Sequence, residues 1–157
     1  YVFSKINQKE FGADIRFDWT FTPKLSLQIF LKPLISVGKY SDFKELAAPR
    51  KLDFRSYGEN GSTIAYREGT YTVDPDGSGP IPSFAFDNPD FNYKSLRGNA
   101  VIRWEYMPGS TMYLVWTQNR TNELDPGDFS FVRDLGNLFG RRADHVFMLK
   151  LTYWRNP

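Results

Sequence analysis

Hydrophobic and polar residues alternate in five long stretches of this chain. In FGADIRFDWTF, residues 11–21, Phe11, Ala13, Ile15, Phe17, Trp19 and Phe21 fall on one side of a period-two pattern, against Asp14, Arg16, Asp18 and Thr20. LSLQIFLKPLISV, residues 25–37, sets Leu25, Leu27, Ile29, Leu31, Pro33, Ile35 and Val37 against Ser26, Gln28, Phe30, Lys32, Leu34 and Ser36. The third stretch sets Leu96, Gly98, Ala100, Ile102, Trp104 and Tyr106 against Arg97, Asn99, Arg103 and Glu105. The fourth sets Met112, Leu114 and Trp116 against Tyr113, Val115, Thr117 and Asn119. In the fifth, HVFMLKLTYW, Phe147, Leu149, Leu151 and Tyr153 oppose Lys150 and Thr152. Alternate residues of an extended chain point to opposite faces, so the pattern predicts strands. Several runs exceed the roughly five or six residues of an average strand and suit the roughly 9–11 of a transmembrane β-strand.

The connections sharpen this picture. Two are minimal turns, at Pro23-Lys24 and Pro108-Gly109, whereas residues 40–93 and 118–144 read as long polar loops. Short and long connections in alternation are the arrangement of an outer-membrane barrel, with brief periplasmic turns and longer outside loops. Trp19 and Phe21 precede one short turn, Trp104 and Tyr106 precede the other, and Tyr153 and Trp154 end the last strand. These six form a predicted aromatic girdle at one membrane interface.

The expected fold is therefore all-β: an antiparallel transmembrane β-barrel with its apolar face in lipid, a polar lumen, long extracellular loops and a periplasmic C-terminus. Bacterial barrels use at least eight strands. Residues 1–157 are thus expected to be the C-terminal part of one larger barrel domain, contributing its last five strands. The competing expectation is a soluble ligand-binding barrel with the apolar face inward, because period two does not say which face is wet.

Composition changes the picture in three ways. Aromatic residues make up 17% of the chain, with 14 Phe, 9 Tyr and 4 Trp, which suits a membrane girdle. The net charge of +2 gives no bulk electrostatic case for a nucleic-acid partner. With no Cys and one His, thiolate chemistry is excluded and a zinc site is not expected. No apolar run reaches the length of a transmembrane helix, and the N-terminus YVFSKINQKE does not read as a signal peptide.

Candidate chemistry lies on the predicted lumen face and in the loops. Asp14, Arg16, Asp18, Lys32, Arg97, Arg103, Glu105 and Lys150 could line a polar pore, or pair across strands and fill the barrel. Phe30, Tyr113 and Val115 share that side and point to partial filling. In VDPDGSGP, Asp74, Asp76 and Ser78 alternate as calcium ligands can, although the same residues make ordinary turns and no EF-hand pattern completes them. DNPD (Asp87, Asp90) and LDPGD (Asp125, Asp128) are weaker versions. Tyr57, Tyr66, Tyr71, Phe84 and Phe86 could stack on sugar rings or pack a folded loop. His145 begins the last strand, but no Gly-x-Ser-x-Gly elbow accompanies it.

At YSDFKELAAPRKLDFRSYGENGSTI, YTVDPDGSGP, FAFDNPDFNYKSLRGNAVIRWEYMPGSTMYLVWTQNR and HVFMLKLTYW the chain resembles the C-terminal barrel region of outer-membrane proteins classed as domain of unknown function 5916. The most specific block is SLRGNAVIRWEYMPGS. The resemblance implies a bacterial outer-membrane location. Through that family's N-terminal family 9-like carbohydrate-binding domain, which has no counterpart in these residues, it implies a link to glycans by name only. It transfers no catalytic residue. The expected function is solute passage or surface binding, with a lipid bilayer and other outer-membrane proteins or glycans as partners. The alternatives are a structural anchor for a complex, and a surface hydrolase using loop carboxylates.

Overall fold

The computed structural model describes residues 1–123 and 127–155. It is an all-β structure with one helix. The strands are β1 (Phe3–Gly12), β2 (Ile15–Thr22), β3 (Leu25–Leu46), β4 (Phe54–Ser56), β5 (Thr63–Arg67), β6 (Thr70–Asp74), β7 (Phe84–Asp87), β8 (Phe91–Met107), β9 (Ser110–Asn122) and β10 (Asp144–Thr152), with helix α1 (Phe131–Phe139) between β9 and β10. The long strands form one sheet in the order β1-β3-β8-β9-β10, with β2 and β4 also pairing with β3. The sheet is open and does not close into a barrel within this chain, with β10 at one end of the order.

Four of the five alternating stretches each lie in a single strand, the first is split between the end of β1 and β2, and the ladder registers keep their apolar sides together. Phe17 lies opposite Ile29 and Trp19 opposite Leu27. Ile102 lies opposite Leu114, and Leu114 in turn opposite Leu149. The Glu105 amide donates to the Lys24 carbonyl at 2.8 Å, joining the start of β3 to the end of β8, as antiparallel neighbours require. Pro108 and Gly109 make the two-residue turn between β8 and β9; Gly109 has φ +75°, which glycine adopts without strain.

The structure adds elements that period two did not reveal. β1 overlaps the first alternating stretch only at Phe11 and Gly12 and is separated from β2 by an interruption at Ala13-Asp14. β3 continues to Leu46, and β4 to β7 lie within residues 40–93 around a core of Phe43, Tyr57 and Val73, so this predicted loop is folded. Predicted loop 118–144 holds the end of β9 and the helix. Phe131, Leu135, Leu138 and Phe139 recur at helical spacing, and Asp134 lies in the first turn, where a carboxylate suits the helix dipole.

Two compact units divide the chain. The first, residues 1–8 and 38–91, has a core of Phe43, Tyr57 and Val73 against which Tyr40, Ile64, Tyr71, Phe84 and Phe86 pack. The second, residues 9–37 and 92–157, contains the β2–β3 and β8–β9 hairpins, β10 and α1. In this unit α1 covers one end of the apolar face, where Leu96, Gln118 and Leu138 are buried.

Candidate functional site: a two-faced sheet

The second unit presents two chemically distinct sheet faces. On one, Ile15, Phe17, Trp19, Trp104, Leu114, Phe147, Leu149 and Leu151 are all exposed. Its turn end carries the predicted girdle. Trp19 stacks on Phe21 with centroids 5.9 Å apart, and Trp104 meets Tyr106 edge-on at 6.2 Å. The Tyr106 hydroxyl donates to the Thr152 carbonyl at 2.9 Å, and the Trp154 amide donates to Ser110 Oγ at 2.9 Å. A Cβ on Gly109 would lie about 3.1 Å from the Trp154 ring, so the glycine lets that indole close over the turn. Tyr153 is exposed beside it.

The opposite face carries the predicted polar residues. Arg16 pairs with Asp18 at 3.2 Å, Lys32 with Asp14 at 3.3 Å, and Arg103 with Glu105 at 3.9 Å. Lys150 sits 6.0 Å from the Tyr113 ring centroid, within cation–π range. Arg97 faces Asn119 across the β8–β9 ladder. Asn99 donates to Thr117 Oγ1 at 3.2 Å. Six of the eight predicted charges are thus neutralised pairwise along the face. A groove of about 390 Å³ runs among Arg16, Gln28, Phe30, Asn99 and Val101. Phe30 at 40% exposed, with Val146 and Met148, keeps this face from being uniformly polar.

The loop candidates resolve into structure. Asp74 Oδ1 accepts from the amides of Asp76 and Gly77, and Asp76 Oδ2 accepts from Ile81. These carboxylates therefore stabilise a turn, and the described residues contain no group of three or more His, Cys, Asp or Glu placed to hold a metal. Ser78 is exposed, donating its amide to the Asp76 carbonyl at 3.0 Å. Asp90 accepts from the Tyr40 amide at 2.7 Å, and Asp128 from Arg133 at 3.0 Å. Asp125 lies outside the described residues. Of the loop aromatics, Tyr57, Tyr71, Phe84 and Phe86 pack in the core of the first unit, while Tyr66 is 53% exposed. Burial and the nearby Glu45 carboxylate, which accepts the Tyr57 hydroxyl at 3.2 Å, push the Tyr57 pKa up to about 12. His145 Nδ1 accepts from the Trp116 indole at 3.0 Å.

One cluster escaped the sequence reading. Lys94 and Asp134, both fully buried, pair at 3.7 Å and join β8 to α1. Asn92 and Arg133 also donate to Asp134 Oδ1, at 3.2 Å and 3.0 Å. The available signal was Lys94 itself, a charge at the end of the otherwise apolar row Leu96, Gly98, Ala100 and Ile102. Its carboxylate lies in a helix that the alternation could not predict.

Comparison with known proteins adds family membership. No curated protein and no solved structure matches the chain. The model of the family described as Domain of unknown function (DUF5916) matches residues 1–155, and the chain belongs to that family.

Proposed function

We propose that the second unit forms strands of a bacterial outer-membrane β-barrel, closed by further strands along the open edges of its sheet. The apolar face contacts lipid, and the polar face lines a lumen through which a polar solute passes. The observation that carries this reading is the long antiparallel sheet whose apolar face, with aromatic residues at the turn end, is largely bare among the described residues. An apolar surface of this breadth is a contact surface for lipid or protein. Paired charges and the groove beside Phe30 supply a polar but nearly neutral lining, suited to an uncharged or zwitterionic solute. No helix among the described residues is long and apolar enough to cross a membrane; in this reading the strands make the crossing.

A second reading has its own support. The ion pairs, together with Phe30 and Tyr113, occupy much of the polar face, as in a filled barrel that anchors a partner or complex. In either reading residues 40–93 face outward and the C-terminus is periplasmic. Ile29 and Gln28 are adjacent on β3 but belong to opposite faces, so paired substitutions test the assignment. Ile29→Arg should impair membrane assembly by about 2–4 kcal/mol if it lies mid-bilayer, whereas Gln28→Arg should assemble normally. The readout is the fraction of full-length protein that shows a boiling-dependent gel shift after extraction in mild detergent. Equal damage from both substitutions refutes the assignment. Solute flux through the reconstituted protein then separates passage from anchoring.

A further inference from the structure

We infer that the cavity between α1 and the sheet holds an acyl chain of a membrane lipid. This inference rests on the membrane reading above. The cavity measures about 350 Å³, within the roughly 300–1,000 Å³ of small-molecule pockets. Phe11, Ile15 and Leu31 form its sheet wall, and Phe131, Leu135 and Phe139 hang over it from α1. The polar side chain in its lining, Gln118, already accepts through Oε1 from Arg120 at 2.9 Å. The cavity therefore offers a ligand dispersion contact and apolar burial, the requirements of a hydrocarbon.

Its position favours a lipid over other apolar ligands. Ile15, Phe17 and Trp19 follow one another along a single face of β2 and are each about half exposed. They make a continuous apolar track from the aromatic turn end to the cavity. Leu25 to Pro33 is eight residue steps on β3. At about 3.3 Å per step and a tilt of about 40°, that distance is about 20 Å along the membrane normal, close to the roughly 25 Å apolar band of such barrels. The cavity thus lies near the far boundary of the band, where a chain entering along β2 would end under α1.

The roof is held in place. The buried Lys94–Asp134 pair fixes the first turn of α1. Arg120 fixes its end, donating to the Phe139 carbonyl at 3.0 Å with its guanidinium 5.6 Å from the Phe139 ring centroid. Phe131 meets Phe11 edge-on at 5.1 Å. Phe131, Val132 and Phe139 remain exposed on the helix, and Arg141 and Arg142 follow it on the surface, where they can meet a lipid phosphate.

The test uses the full-length protein reconstituted in vesicles of phosphatidylethanolamine and phosphatidylglycerol. Leu31→Trp projects an indole from the sheet wall into the cavity and obstructs it. Mild-detergent extraction followed by native mass spectrometry should find a retained phospholipid on the unaltered protein and its loss from Leu31→Trp. A second measurement does not depend on that variant. A fluorophore on Phe139→Cys, at the cavity mouth, should be quenched by lipids brominated on their acyl chains, and the same label on Asn60→Cys should not. Membrane-embedded protein with equal lipid retention in both forms, or a Phe139→Cys label as little quenched as the Asn60→Cys label, overturns this inference while leaving the barrel reading intact. Protein that stays in the aqueous phase with no boiling-dependent shift overturns both.

Discussion

Asp134→Ala should undock α1 from the sheet. Asp134 and Lys94 are both fully buried and pair at 3.7 Å, and the Asp134 carboxylate also accepts from the Ser130 amide at 2.9 Å. Breaking a buried pair by removing one partner costs about 3–5 kcal/mol, because the remaining charge loses its carboxylate in a low-dielectric site. Losing the hydrogen bonds from Asn92 and Ser130 falls within the same range. Lys94→Met combined with Asp134→Leu removes both charges at similar volume, and such replacements are often neutral or stabilising. The double variant should therefore be no less stable than Asp134→Ala, and the cycle closed by the single variants Lys94→Met and Asp134→Leu should show a coupling of more than about 1 kcal/mol. The assay is hydrogen exchange of the amides of residues 131–139. Faster exchange confined to α1 identifies local undocking, whereas a shift of the whole urea transition, followed by Trp fluorescence, identifies global loss. If Asp134→Ala stays within about 1 kcal/mol of the unaltered protein, or the cycle shows additivity within about 0.5 kcal/mol, the pair does not hold the helix.

Two further predictions concern the first unit. A Cβ on Gly38 would overlap Phe91 Cε1, so Gly38→Ala forces the ring to move and should cost about 1–3 kcal/mol. Phe91→Leu should relieve part of that loss, and a urea midpoint unchanged by Gly38→Ala refutes the close approach. Tyr57 ionises at about pH 12 in the folded chain, against about 10 when unfolded. The folded state binds that proton more tightly, so the stability it contributes is fully present below about pH 10 and is lost as pH rises through about 12. An absorbance titration of tyrosinate should lose its latest-ionising component in Tyr57→Phe, and an identical titration curve in the variant counts against the burial and the Glu45 contact.

The strands of the second unit were legible because one local rule governs them. Alternation places Phe17, Ile29, Ile102, Leu114 and Leu149 on one side of their strands, and ladder pairing between consecutive strands keeps those sides together. The turn at Pro108-Gly109 was equally local, since proline presets one φ and glycine permits the positive one. Residues 40–93 were less legible. β4 to β7 are only three to five residues long, too short for a clear period. Their stability comes from aromatic packing around Phe43, with Tyr71 at 4.7 Å and Phe86 at 5.1 Å, contacts that join residues far apart in sequence.

The sequence by itself determined which side chains share a sheet face, where the tight turns fall and that aromatic residues gather at the turn end, because each follows from backbone geometry over a few residues. Tertiary structure alone decided that charges in the turns would hold backbone amides, that most loop aromatics would form a core, and that Lys94 would find Asp134. Long-range packing selects those partners, and a buried charge such as Lys94 is tolerable only where the fold brings it a carboxylate.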